Sequence, residues 1–310
     1  MTIVDIAKSL DCSRSTVYRM LNTFNLDVKG KNYPKPISKK ELHELYANKR
    51  LTMPQIAKIY CCDTVTVHNR MKEHGISARE ISEAHIQSPK VNFNGNNIEK
   101  AHMIGFRLGD LHVRKFEKNG KILNVSCGSS NINQIDLIKQ MFSKYCKVTI
   151  SKPDKRGITR INANPNESFN FLLEKKDCIN KNLLKNRKTF FAFLAGYTDA
   201  EGTIKTHIQG FSTFRIKTYD KGILTEIKKQ LEDYGYKDVH LHLDTKKSKV
   251  RKQNKDCWGV YVYKKTQLLK LYKELLPFIK HRDKRKDILD GIKNIEYRNK
   301  KYNNKRMEVD

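Results

Sequence analysis

Two nine-residue stretches decide the fold: Met103-Ile104-Gly105-Phe106-Arg107-Leu108-Gly109-Asp110-Leu111 and Leu194-Ala195-Gly196-Tyr197-Thr198-Asp199-Ala200-Glu201-Gly202. Both run apolar, apolar, Gly, aromatic, two variable positions, small, acidic. Gly105 with Gly109, and Gly196 with Ala200, stand four apart, so each pair lies on one face of a helix. Small residues at that spacing let two backbones pack almost in contact. If the two helices pack on each other, Asp110 and Glu201 emerge together at their C-terminal ends. A helix C-terminus repels anions, so carboxylates held there call for divalent cations between them. Hard oxygen ligands and a polyanionic partner point to Mg2+, and such a centre hydrolyses phosphodiesters.

Outward from each motif the same coarse pattern follows: two strands, a helix, two strands and a helix. In the first half the alternation predicts strands at 112–117, 122–128, 147–151 and 158–163, with helices at 133–145 and 167–174. In the second half strands are expected at 203–209, 211–219, 239–245 and 257–264, with helices at 222–234 and 266–276. Lys118-Asn119-Gly120-Lys121 reads as a hairpin turn. Alternation also assigns a polar side to each sheet. In the first half it carries His112, Arg114, Asn124, Ser126, Arg160 and Asn162. In the second half it carries Lys205, His207, Gln209, Thr213, Arg215, Lys217, His240, His242 and Asp244. These are base-edge and phosphate readers on a mainly cationic side, so DNA contact is expected there. The blander alternative is the solvated face of any half-buried antiparallel sheet. His240-x-His242-x-Asp244 also has metal-like spacing, but a groove-facing pair is the simpler reading. Trp258 with Tyr261 and Tyr263 reads as core and rim packing.

A second duplication opens the chain at an offset of fifty. Ile6-Ala7-Lys8 matches Ile56-Ala57-Lys58, Cys12 matches Cys62, and Thr16-Val17 matches Thr66-Val67. Each copy reads as a helix, a short polar turn and a second helix, with Ala7 or Ala57 at the crossing and Leu26 or Ile76 closing the unit. Val17, Met20, Leu21 and Phe24, then Val67 and Met71, supply apolar residues at helical spacing. This is a helix-turn-helix pattern, whose second helix can enter a major groove. Arg14, Ser15, Tyr18 and Arg19, then Thr64, Thr66, His68, Asn69 and Arg70, are the candidate DNA contacts. A protein-docking role is the alternative. Ser38-Lys39-Lys40-Glu41 predicts a capping box for a preceding helix, and Thr52 with Pro54 and Gln55 predicts another helix start.

Composition agrees with a nucleic-acid partner. The 310 residues hold 62 Lys+Arg against 33 Asp+Glu, a formal charge of +29 that suits a polyanion. At 38% hydrophobic the chain can bury cores, which a disordered basic tail cannot. No apolar run is long enough to span a bilayer, and no secretory signal is read at the start, so a cytoplasmic, nucleoid-associated or organellar location is expected. An anionic membrane surface is the weaker partner, because the basic residues interleave with strand patterns instead of gathering on one amphipathic helix. Seven cysteines without a CxxC pair give no support to a zinc site and read as reduced thiols.

The paired nonapeptides resemble the motifs of the LAGLIDADG homing endonucleases in their single-chain, two-repeat form. The match is close at 194–202 and weaker at 103–111, where Arg107 and Leu111 replace commoner residues. The resemblance covers about residues 100–295. It implies an α+β fold, a duplicated αββαββα with an antiparallel β-saddle, here preceded by a small all-α helix-turn-helix region. It also implies a monomer with internal pseudo-twofold symmetry, double-strand cleavage of a long asymmetric DNA site, and Mg2+ bound by Asp110 and Glu201, one acid per strand. The family places a basic residue in each half near the acids. Lys280 or Arg282 is the candidate in the second half, and Lys181 or Lys185 in the first. The expected organisation is a first helix-turn-helix unit at 1–30, a second at 38–80, a linker at 81–98, repeats at 99–188 and 189–295, and a basic solvated tail at 296–310. Two other functions fit the same fold: a non-catalytic DNA-binding regulator, and a maturase acting on intron RNA. An intein is disfavoured, since neither a Cys start nor a His-Asn end is present.

Overall fold

Asn96 and Asn186 begin the two helices that organise the larger part of the molecule. In the computed structural model the Asn96 side chain accepts from the Glu99 amide at 2.9 Å and opens α6 (Asn97–Gly109). The Asn186 side chain accepts from the Lys188 amide at 2.9 Å and opens α9 (Arg187–Glu201). An Asn oxygen satisfies an otherwise orphaned first-turn donor in each case. The structure describes residues 3–24, 37–49, 51–78, 90–118, 120–207, 210–248, 250 and 253–307, in two units, Met1–Gln87 and Ser88–Asp310.

Helices α6 and α9 cross in contact through their small residues. A Cβ on Gly105 would run into the Phe193 carbonyl oxygen and the Tyr197 amide nitrogen, and one on Gly196 into the His102 carbonyl. Gly109 abuts the Ala200 methyl and the Glu201 side chain. Backbone therefore lies where a side chain would otherwise begin, and glycine is required at both crossing points.

Each motif helix leads into a four-stranded antiparallel sheet. The first contains β1 (His112–Lys115), β2 (Leu123–Ser129), β3 (Val148–Ile150) and β4 (Thr159–Ala163) in the order β1-β2-β4-β3. The second contains β5 (Gly202–Thr206), β6 (Ser212–Thr218), β7 (Val239–Thr245) and β8 (Cys257–Val262) in the order β5-β6-β8-β7. Val113, Leu123, Val125, Ile161 and Ala163 turn one face of the first sheet onto a core with Met103, Phe106, Ile135, Ile138 and Phe142. Ile204, Phe214, Ile216, Val239, Val260 and Val262 do the same for the second, against Leu194, Leu224, Ile227, Leu268 and Leu271. The helices closing these cores are α7 (Ile132–Phe142) in the first repeat, and α10 (Lys221–Asp233) and α11 (Lys265–Leu275) in the second. The architecture is thus the duplicated αββαββα one, with both sheets on the same period-two pattern.

Two carboxylates tie the repeats together reciprocally. Asp177, between the first sheet and α9, accepts from the Gly222 and Ile223 amides at 2.9 Å each, at the start of α10. Asp220, the residue preceding that helix, makes no side-chain cap of its own. Asp283, beyond α11, accepts from the Asn133 and Asn131 side chains at 2.7 and 3.2 Å, at the start of α7.

Three elements differ from the sequence reading. The last helix of the first repeat is a 3-10 stretch, Glu167–Leu172, in which Phe169 and Leu172 are both buried. A 3-10 turn eclipses positions three apart, which suits that pair. Strand β1 stops at Lys115, and the chain to β2 is a longer loop in which the Phe116 amide donates to the Ile122 carbonyl at 2.9 Å. Asn119 and Gln209 lie outside the described residues. The expected basic tail instead continues α12 (Arg282–Met307), a 26-residue helix. Ile288 and Ile295 are buried and Ile292 packs beside them, giving the helix a 3.6-period apolar stripe through a very polar sequence. The structure adds a short helix, α8 (Lys181–Leu184), to the expected set.

The first unit repeats its geometry as its sequence does. Helices α1 (Ile3–Ser9) and α2 (Arg14–Thr23) form one pair, and α4 (Met53–Ile59) and α5 (Thr64–Glu73) the other. Between them Asp11 at φ 44° and Cys61 at φ 52° take the left-handed conformation. The Cys12 and Cys62 amides then donate to the Ala7 and Ala57 carbonyls at 3.0 and 2.9 Å. Ser38 and Glu41 form the expected capping box of α3 (Lys39–His43), which continues as a wider helical turn, Glu44–Asn48. Thr52 and Gln55 form the box of α4, and Asp63 caps α5. Val17, Val67 and Met71 are buried as the spacing implies, but Met20 and Phe24 are 46% and 70% exposed. Leu26 lies outside the described residues.

Replacing Gly105 or Gly196 by alanine forces backbone apart. Either change is expected to destabilise the Ser88–Asp310 unit by about 3 kcal/mol or more, read as a lower urea midpoint at unchanged slope.

Candidate active site and nucleic-acid interface

The crossing brings the two motif acids side by side. Asp110 is the residue that ends α6, and Glu201 is the last residue of α9. A Cβ built on Gly109 would lie 3.4 Å from Glu201 Oε1, which places that carboxylate beside the end of α6. Both acids are half-buried. Burial pushes the Glu201 carboxyl above its usual range, and the neighbouring Asp110 pushes it further; Lys284 and Lys175 pull it back. Asp110 is likewise raised by burial, against Lys284, a hydrogen bond from Gln134 and Lys175. Two carboxyl groups thus meet at two negative helix ends, with two lysines beside them.

Those lysines cap the helix ends directly. Lys284 Nζ, from the first turn of α12, donates to the Thr198, Asp199 and Ala200 carbonyls at 2.7, 2.6 and 3.2 Å. Lys175 Nζ reaches the Gly109 carbonyl at 3.4 Å. Burial lowers the Lys284 pKa, although Asp199, Asp110 and Glu201 all act to raise it. The residues singled out from sequence stand elsewhere. Arg282 is exposed and faces Asp136 at 3.9 Å. Lys280 is held through its backbone amide, which donates to Asp199 Oδ2 at 2.9 Å. Lys181 and Lys185 lie at α8, both exposed. The sequence points to the segment around 280–282, close to Lys284. Which of its cations turns toward the acids depends on the phase of α12, a helix that the sequence pattern does not announce.

One departure from the motif pattern has a structural reason. Arg107 is buried and donates to the Leu172 carbonyl at 2.8 Å and the Leu111 carbonyl at 2.5 Å, tying the 3-10 stretch to the residue after Asp110. Across the helix crossing, His102 Nε2 pairs with Asp199 Oδ2 at 2.9 Å, both side chains almost fully buried. Burial lowers the His102 pKa, while the Asp199 bond acts to raise it.

On the sheets, strand register sets the expected readers on common faces. His112 pairs with Ser126 and Arg114 with Asn124, while Ser126 pairs with Asn162. Arg160 opposes Gly128 on the same side. Lys205 pairs with Thr213, and Arg215 with Tyr261, which pairs in turn with His240. Lys217 and His242 both oppose Gly259. Lys217 Nζ is engaged with Asp244 at 2.6 Å, and Asp244 also accepts from the Tyr261 hydroxyl at 2.7 Å. His240 and His242 stack at 5.6 Å between ring centres. Asp244 is thus committed to Lys217 and Tyr261, and among the described residues no three His, Cys, Asp or Glu side chains are gathered for a metal. Tyr261 is nearly buried while Tyr263 stays 48% exposed. His207 lies just past β5, stacked on Phe211 at 4.4 Å. In the first unit Arg14, Ser15, Arg19, Thr64, His68, Asn69 and Arg70 are exposed on α2 and α5, with Tyr18 and Thr66 half-exposed. Arg70 is paired with Glu73 at 2.7 Å. No helix among the described residues is long and apolar enough to cross a membrane.

With this geometry in place, comparison with known families gives two matches. Residues 189–276 match the model of the LAGLIDADG-like domain, and residues 1–23 match the helix-turn-helix domain of resolvase. The second repeat is thus a LAGLIDADG-like domain, in keeping with the motif resemblance. No curated protein matches the chain. Among solved structures it is similar to I-DmoI in complex with DNA and Mn, at 18% identity and TM-score 0.40 over 58% of this chain and 97% of that one. It is also similar to I-WcaI bound to its DNA recognition sequence, at 19% identity and TM-score 0.40 over 61% of this chain and 86% of that one. A third similar structure is full-length DUF199/WhiA from Thermatoga maritima, at 12% identity and TM-score 0.44 over 71% of this chain and 69% of that one.

Asp199→Ala leaves His102 Nε2 and the Lys280 amide without their buried acceptor. The expected cost is about 3 kcal/mol of stability, measured by urea denaturation.

Proposed function

We propose that this protein is a site-specific double-strand DNA endonuclease of the homing type, hydrolysing phosphodiester bonds with Mg2+ held between Asp110 and Glu201. The single observation that carries the reading is the pair of acids placed side by side at the ends of two crossed helices. The donor set fits the ion. Two hard carboxylates, with no third acidic, imidazole or thiol ligand gathered beside them among the described residues, leave coordination positions for water and phosphate, as Mg2+ prefers. When bound, the ion supplies Lewis-acid stabilisation and a more acidic water.

The chain's own residues do the rest. Asp110 and Glu201 present one carboxylate to each strand. Lys284 and Lys175 hold the helix ends and place positive charge where phosphate charge develops during cleavage. Arg114, Arg160, Lys205 and Arg215 line the polar sheet faces and hold the duplex by its phosphates, while Asn124, Ser126, Asn162, Thr213, His240 and His242 read base edges. The exposed second helices of the first unit extend contact to flanking sequence through Arg14, Arg19, His68 and Asn69.

Incubation with a randomised duplex library, followed by sequencing of bound and cut fractions, tests the proposal. Mg2+-dependent double-strand cutting of one long site is expected, with no cutting in Ca2+. Asp110→Asn and Glu201→Gln each lower cleavage by about 1000-fold or more while binding in Ca2+ stays within a few-fold. Binding without cleavage in Mg2+ favours the regulator, and preferential binding of structured intron RNA favours the maturase. Replacing Arg14 and Arg19 by alanine is expected to lower the slope of log affinity against log salt by about 1 for each phosphate that an arginine no longer neutralises, with cleavage of bound DNA unchanged.

A further inference from the structure

The two acids are not held alike. Gln134, on the first turn of α7, donates from Nε2 to Asp110 Oδ2 at 2.5 Å. The orientation of that amide is fixed from behind. The Asn131 amide donates to Ser129 Oγ at 3.0 Å, and the Ser129 hydroxyl donates to Gln134 Oε1 at 2.5 Å. With its oxygen already accepting, the Gln134 side chain can offer Asp110 only N–H. One oxygen of Asp110 is therefore tied to protein from behind.

The second repeat has no counterpart. Thr218 ends β6 as Ser129 ends β2, and Asp220 precedes α10 as Asn131 precedes α7. By that correspondence Ile223 stands where Gln134 does, and Ile223 is 1% exposed, packed in the core of the second repeat. Among the described residues, no side-chain amide is bonded to Glu201. Its longer, more freely rotating side chain contrasts with the fixed carboxylate of Asp110.

We propose that Gln134 is a positioning residue for Asp110, and that it makes the two strand-cutting reactions unequal, the strand served by Asp110 being cut faster. This rests on the endonuclease reading above. A carboxylate pre-set by a partner behind it loses less freedom on engaging its metal, and removing such a partner commonly costs about 10- to 100-fold in metal affinity or activity.

The test uses the full chain and a duplex recovered from a randomised library by binding in Ca2+, with the two strands differently labelled. Wild type is expected to cut one strand faster. Gln134→Met, isosteric but without a donor, slows that strand about 10-fold or more and leaves the other within about 3-fold. Ser129→Ala, which frees the amide to turn, shifts the same strand by a smaller factor. Equal slowing of both strands, or of neither, overturns the inference while leaving the nuclease intact. Wild type that cuts neither strand refutes the nuclease reading instead. In that case Mn2+ binding to the protein–DNA complex, followed by electron paramagnetic resonance, decides: unchanged Mn2+ affinity in Gln134→Met overturns the positioning role, and weakening of about 10-fold supports it. A thermal melt of each variant separates these effects from loss of fold.

Discussion

Backbone against backbone at the crossing of α6 and α9 is the constraint on which the remainder depends. The His102 and Phe193 carbonyls occupy the space that a side chain at 196 or 105 would need. Only a crossing this close brings Asp110 and Glu201 together, and only helices that end at the crossing aim both into the same place. The sheets follow directly, since β5 begins at the residue after Glu201 and β1 two residues after Asp110. Core, saddle and acid pair are in this sense one packing decision.

That decision is electrostatically unfavourable, and the surrounding side chains show how it is offset. Negative helix ends and two adjacent carboxylates are met by Lys284, with three carbonyl acceptors, and by Lys175. Arg107 satisfies carbonyls beneath Asp110. These cations neutralise locally what the long-range excess of +29 cannot, because solvent screens distant surface charge. Arg114, Arg160 and Lys205 stay exposed on the sheet faces. Where an acid does stand on that face, Lys217 takes it up.

The sequence is informative where pattern and local chemistry coincide. The spacing of Gly105 with Gly109 and of Gly196 with Ala200 implies the helix face, alternation implies eight strands, and Ser38, Glu41, Thr52 and Gln55 imply two capping boxes. It is opaque where a residue acts across the fold. Gln134, Lys175 and Lys284 look like ordinary polar residues until α7 and α12 are placed beside the motif helices. Helix α12 is hidden because its apolar stripe of three isoleucines is diluted by charged neighbours. Conversely, Met20 and Phe24 have the spacing of core residues yet lie exposed, since periodicity reports a face and not what covers it.

The reciprocal ties through Asp177 and Asp283 have a consequence for how such a chain can change. Helix α10 takes its cap from the segment that precedes its own repeat, and Ile179 in that segment donates to Glu226 further along the same helix at 2.5 Å. The stretch joining the halves is therefore a structural member and not a tether. A residue added between 173 and 180 would unseat a helix in the other half. Gene fission at that joint would part α10 from the carboxylate that caps it.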